Sequence, residues 1–227
     1  MSVKLNLLEE YLLIALDDEK GKFVIDSTRL HYGFAGAILL ELALRGKIEV
    51  DGVTLILKDN SYEPEIALNK IIDELRPLKS PSLKKALSVI AKKSSDIKDD
   101  TLQHLMNKGI LRKEEKKILW LIPSDQYPTA DMTPESKVRK RLDDVITYGS
   151  NVEPHDLMLL SLIDATDLTK EAFRDKDDYK KVSKKIKEVT SDLKIGKVVN
   201  KSVREIKAAI MMAIVSTIVV TSVTTSS

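Results

Sequence analysis

A chain of 227 residues, 43% hydrophobic and 32% charged, is long enough for a substantial core and has the composition of a folded protein rich in amphipathic helix, which excludes a disordered chain. A formal charge of +2 is too small to name a polyanionic partner, and the lack of cysteine excludes disulfides and thiolate chemistry. The first ten residues, MSVKLNLLEE, reach carboxylates before an apolar signal core could form, so a cytoplasmic protein is expected.

Residues 5–16 predict an amphipathic first helix, with Leu5, Leu8, Leu12, Ile14, Ala15 and Leu16 apolar and Asn6, Glu9 and Glu10 on the wet side. DDEKGK at 17–22 reads as a polar turn around Gly21, and FVID after it as a strand or a loop edge. The stretch GFAGAILLELALRG at 33–46 is apolar on nearly every side and predicts a buried central helix. A Glu41–Arg45 pair supports its last turn and Gly46 ends it. KIEV and VTLILK around Asp51-Gly52 predict a β-hairpin. Residues 65–75 predict a helix with Ile66, Ile71, Ile72 and Leu75 inward, ended by Pro77 and Pro81.

Two helices are expected next, 82–93 with Lys84, Lys85, Lys92 and Lys93 outside, and 97–108 ending at Gly109, with a polar break at 94–96 between them. ILRKEEKKILWLIP at 110–123 then repeats the helix-then-hairpin plan: a strand from Ile110, a charged turn through Glu114 and Glu115, and a return strand from Ile118 to Ile122 ended by Pro123. Helices are expected from Thr133 to Tyr148, from Pro154 through Ile163, and across the charged stretch 174–187, where Val182, Ile186, Val189 and Leu193 keep helical spacing. The run from Ala208 to Val223 holds no charge over sixteen residues. That is shorter than the roughly eighteen needed to cross a membrane, so it reads as a buried core helix, with a membrane-associated tail as the alternative. The expected fold class is mainly α, a helical core surrounded by amphipathic helices with short β-hairpins, in one domain over 1–227.

No catalytic constellation emerges. His31, His104 and His155 are far apart without metal-ligand spacing, and no phosphate-binding glycine loop or nucleophile elbow is present, so no enzyme activity, metal or cofactor is expected. The second hairpin is the unusual feature: Ile118, Leu119, Trp120, Leu121 and Ile122 are consecutive apolar residues, so both faces of a strand here would carry large hydrophobes. With Lys113, Lys116 and Lys117 just before it, this suits insertion into an anionic bilayer interface, each lysine adding roughly 1 kcal/mol. A strand buried on both sides is the other reading.

Four segments, LNLLEEYLLIA at 5–15, GFAGAILLELALRGK at 33–47, NKGIL at 107–111 with the ILWLIP hairpin, and EPHDLMLLSLIDATDLTKEAF at 153–173, together resemble the Golgi phosphoprotein 3 family. They fall in the same order over nearly the whole chain, and ELALRG at 41–46 is the most specific. YPTAD near Tyr127 and the short N-terminus are closer to prokaryotic members. The resemblance implies a mostly helical single domain whose hydrophobic β-hairpin inserts into membrane. It also implies binding of phosphatidylinositol 4-phosphate, a trafficking-adaptor role retaining client membrane proteins, and self-association. Three of the four headgroup positions differ here: Asp26 stands for a tryptophan, Ala35 for an arginine in a GLRG-like turn, and Ser95 for a basic residue, while Lys98 remains basic.

The expectation is therefore a cytoplasmic, peripherally membrane-associated protein that binds anionic phospholipid. Ile118, Leu119, Trp120 and Leu121 would insert, Lys113, Lys116 and Lys117 would make electrostatic contacts, and Lys98 is the candidate headgroup contact. Two alternatives stand beside it. One is a winged-helix-like nucleic-acid binder, opposed by Asp96, Asp99 and Asp100, which would repel phosphates. The other is a soluble protein-interaction scaffold using the charged 180–187 helix.

Overall fold

The axis of the molecule is α2, Ser27–Leu44, which is buried from Gly33 to Ala43. In this computed structural model residues 4–118, 122–149, 152–191 and 197–224 are described, without the side chains of 116–118, 122–124, 197–200 and 219–224. The helix starts six residues before the apolar run because Asp26 caps it, its carboxylate accepting the Arg29 backbone N–H at 3.0 Å. Gly33 and Gly36 therefore stand in mid-helix, where no turn exists. A Cβ on Gly33 would lie 2.0 Å from the Tyr11 hydroxyl, and one on Gly36 2.2 Å from Ile210 Cδ1. The two glycines let α1, Leu7–Ala15, and α9, Lys197–Thr224, pack closely against α2. α4, Leu83–Asn107, and α6, Pro154–Ala165, complete the ring around it.

α1 is buried throughout, including Glu9 and Glu10, which were expected in water. A buried carboxylate is tolerated only when its charge is met. Glu9 accepts the Asn6 backbone N–H at 2.9 Å and the Lys108 ammonium at 2.6 Å, and Glu10 binds Arg141 at 2.7 Å and His155 at 2.9 Å. α4 likewise departs from expectation, running unbroken through 94–96. Ser94 faces inward at 1% exposure and donates its hydroxyl to the Ala91 carbonyl at 2.7 Å, so a polar residue fills one core position between Ile90 and Ile97.

The first hairpin pairs β1, Ile48–Asp51, with β2, Thr54–Leu57, and places Asp51 opposite Thr54, so its two-residue loop is Gly52–Val53. α3, Ile66–Leu75, buries Ile71, Ile72 and Leu75, but Ile66, as its first residue, is 69% exposed rather than inward. The second hairpin pairs β3, Glu114–Ile118, with β4, Ile122–Gln126, with Ile118 opposite Ile122. Glu114 and Glu115 are thus strand residues rather than a turn, and Pro123 lies within the return strand rather than ending it.

α5, Thr133–Tyr148, α7, Thr169–Ala172, and α8, Tyr179–Ser191, form an outer layer against α1 and α6. Among the described residues nine α-helices and two small antiparallel sheets make the chain mainly α. α9 is only half of what its composition suggested. Val203, Ile206, Ile210 and Ile214 are buried, whereas Met211, Met212 and Val215 are exposed on the other face. Among the described residues no helix is long and apolar enough to cross a membrane.

Candidate functional site

The N-terminal end of α2 gathers several of the predicted residues. The chain enters it through the loop at 17–25, which turns at Gly21 with φ +61, a conformation that costs glycine nothing. A side chain there would also collide with the second hairpin, since a Cβ would lie 2.3 Å from the Tyr127 backbone nitrogen. Without it the two segments strap together: Tyr127 N–H donates to the Gly21 carbonyl at 2.9 Å, and Thr129 N–H to the Asp18 carbonyl at 2.9 Å. The base of the β3–β4 hairpin is thereby fixed to the loop leading into α2.

Lys98 reaches this end from α4. Its ammonium lies 5.6 Å from the centre of the Phe23 ring and 3.5 Å from Asp99, with the side chain 20% exposed. A cation over an aromatic face is held without being neutralised. Burial, and then the charge of Lys98, push the His31 imidazole below its ordinary value, so it is neutral at pH 7. Arg29 is engaged with Asp26. Burial alone would raise the Asp26 carboxyl, but the backbone and side-chain hydrogen bonds from Arg29 outweigh it and hold the group low. The Tyr127 hydroxyl is raised by burial first, then by Asp125 and Asp99. The site thus offers one ammonium and one neutral imidazole beside aromatic rings. That is a point of attraction for an anion rather than a convergent clamp.

The remaining predicted residues fall as follows. Lys113 is paired across the hairpin base with Asp125 at 2.9 Å, which raises its ammonium above the usual lysine value. Lys116 and Lys117 lie in β3, opposite Ser124 and Pro123, rather than at a turn, and their side chains are outside the described residues. Ile118 is placed by its backbone alone, and Leu119, Trp120 and Leu121 lie outside the described residues. Ala35 is fully buried inside α2 and presents nothing to a ligand, whereas Ser95 is exposed one turn before Lys98. Sequence reasoning missed Phe23, His31 and Tyr127. Phe23 follows a glycine turn in a stretch without periodicity, and no spacing in the sequence links it to Lys98.

Behind the strap stands a charged cluster on α5. Glu135, 1% exposed, accepts from Arg139 at 2.6 Å and Arg174 at 3.3 Å, and Arg174 also binds Asp18 at 2.5 Å. Burial first, and the Asp18 side chain next, push the Glu135 carboxyl up to about 7. Among the described residues no three His, Cys, Asp or Glu side chains are grouped to hold a metal ion.

These features define a helical bundle with a β-hairpin strapped to one end beside a half-buried cation. Residues 7–209 match the model of the Golgi phosphoprotein 3 (GPP34) family, and the chain belongs to that family. It is 26% identical over 165 residues to vacuolar protein sorting-associated protein 74 of Schizosaccharomyces pombe, covering 63% of this chain and 49% of that protein. It is 25% identical over 170 residues to the protein of the same name from Eremothecium gossypii, covering 66% and 51%. The chain therefore spans about half the length of the curated relatives it matches.

Proposed function

We propose that the chain is a peripheral membrane protein that binds anionic phospholipid surfaces with the β3–β4 hairpin and the neighbouring basic residues, and that it serves membrane trafficking as an adaptor. The observation that carries the reading is the strapping of this hairpin, whose sequence ILWL follows lysines, onto the end of the bundle where Lys98 is held over Phe23. Apolar side chains beside lysines suit an interface rich in anionic lipid. The family name and the vacuolar-sorting relatives support the trafficking part. With Asp26 capping α2 and Ala35 inside it, the proposed recognition is of charge density rather than of one phosphoinositide.

Flotation with vesicles tests this. Wild type should float with phosphatidylserine-containing vesicles, and equally with vesicles matched in charge by phosphatidylinositol 4-phosphate. Release should follow as salt shortens the Debye length from about 10 Å at 0.1 M to about 3 Å at 1 M. A Leu119→Asp, Trp120→Asp double variant should lose flotation. Lys98→Ala should weaken it about fivefold, the equivalent of roughly 1 kcal/mol for one interfacial charge. Equal flotation of wild type and the double variant would refute the proposal.

A further inference from the structure

We infer that the exposed stripe of α9, Ala208, Met211, Met212 and Val215, is a second lipid-contacting surface that lies in the bilayer interface beside the hairpin. The inference rests on the peripheral membrane reading above and adds to it an element that this reading does not use.

The stripe has helical spacing and is open: Met211 is 45%, Met212 66% and Val215 61% exposed, and Ala208 is exposed one turn earlier. The opposite face of the same helix, Ile206, Ile210 and Ile214, is buried in the core. An interfacial helix normally presents a polar face to water and an apolar face to lipid. Here the protein core takes the place of water, and the apolar face remains. No charged residue occurs from Ala208 to Ser227, while exposed Arg204 stands one turn before Ala208 on the same stripe. The stripe is therefore apolar, headed by exposed Arg204 beside half-buried Glu205, and it matches the hydrocarbon side of a bilayer interface.

Its position agrees. α9 runs antiparallel to α2. The Ser202 hydroxyl binds Val50 N–H at 3.1 Å, beyond the C-terminal end of α2. Ile210 packs at Gly36, and the Thr217 hydroxyl lies 3.4 Å from the Tyr32 hydroxyl near the start of α2. Between Ser202 and Thr217 the helix advances about 22 Å. It moves toward the end of the bundle that holds Phe23, Lys98 and the strapped hairpin. A second copy of the chain is the other occupant to weigh. The side chains named expose roughly 300 Å² of apolar surface, the scale of the largest patch on an ordinary monomer. That falls well short of the roughly 800 Å² each partner buries in a standard interface. A bilayer demands no such matched area.

The chain has no cysteine, so single labels are clean. Met212→Cys and Val215→Cys, each carrying an environment-sensitive nitrobenzoxadiazole probe, are mixed with phosphatidylcholine vesicles containing phosphatidylserine. Val53→Cys serves as the control, 73% exposed in the first hairpin at the opposite end of α2. The expected result is a blue shift and a several-fold rise in emission at 212 and 215, quenched by spin-labelled lipid, with no response at 53. A Met212→Gln, Val215→Gln variant should bind these vesicles roughly tenfold more weakly, because two open apolar side chains are removed from the contact. Flotation with silent probes at 212 and 215 overturns this inference and leaves the hairpin reading standing. Absence of flotation removes both. A response that follows protein concentration without vesicles overturns the inference in favour of a second copy.

Discussion

The Glu135→Gln substitution tests the electrostatics of the strap. Glu135 lies in the first turn of α5, with Oε1 bound to Arg139 and, among the described residues, no hydrogen-bond partner for the buried Oε2. Burial, followed by the nearby Asp18 side chain, raises its carboxyl from 4.5 to about 7. The folded state therefore holds this proton more tightly than the unfolded chain does. The resulting stabilisation is fully present below the unfolded value of 4.5 and is lost as pH rises through about 7. At 1.36 kcal/mol per unit, the loss is about 3 kcal/mol by pH 8. Glutamine keeps the shape and an acceptor for Arg139 but cannot ionise. Urea unfolding across pH 4.5 to 8 should therefore show the variant gaining on wild type by about 3 kcal/mol, most of it between pH 5 and 7. His155, whose value is raised by Glu10 against the opposing effect of burial, also loses stabilisation as pH rises, but it does so in both proteins and cancels in the difference. A wild-type-to-variant difference that does not change with pH would refute the reasoning.

Two further substitutions probe the packing of α2. Arg45→Ala strips the shared cation from Glu41, Glu63 and Glu65, which it meets at 2.7, 2.5 and 2.7 Å. Since Glu41 is 4% exposed, the loss should be about 3 kcal/mol by chemical denaturation, with Arg45→Lys recovering only part because an ammonium cannot span three carboxylates. Gly33→Ala brings a methyl to 2.0 Å from the Tyr11 hydroxyl and 2.6 Å from Thr166 Cγ2, so it should cost about 1 to 3 kcal/mol and lower the midpoint of thermal unfolding by several degrees. An unchanged midpoint would show that α1 yields at no cost.

The fold was legible where a residue's own neighbours decide its state. The apolar run ending in the Glu41–Arg45 pair, the glycine stop at Gly46 and the mainly α class could be read directly, because period and caps are local. What misled the reading was polarity that is satisfied from far along the chain. Glu9 and Glu10 looked wet because nothing near them says that Lys108, Arg141 and His155 will arrive. Ser94 looked like a break because its bond to Ala91 is visible only once the helix exists. The second hairpin was recognised but shifted in register, since KEEKK carries charges that suit a turn and an exposed strand equally well. Of the site, Lys98 was found and Phe23, His31 and Tyr127 were not. Phe23 meets Lys98 from a loop with no periodic signal, while His31 senses its charge from α2.

The two ends of α2 differ in how their cations are spent, which bears on where an anionic surface would dock. At the C-terminal end every named cation is matched several times over. Arg45 meets three carboxylates, and the Lys47 ammonium binds Asp59 at 2.7 Å, Glu63 at 2.9 Å and the Ser61 hydroxyl at 2.6 Å. A surface of lipid headgroups arriving there would compete with short, partly buried ion pairs and gain little. At the N-terminal end Lys98 has a single long contact with Asp99 and an aromatic ring beneath it. Lys98 is thus less committed within the protein than Arg45 or Lys47, although Arg29 and Lys113 at the same end are paired with Asp26 and Asp125, and desolvating Lys98 against an anionic layer breaks fewer existing bonds. The proposed hairpin and α9 contacts converge on that same end. The asymmetry gives a physical reason for one orientation in the proposed membrane contact.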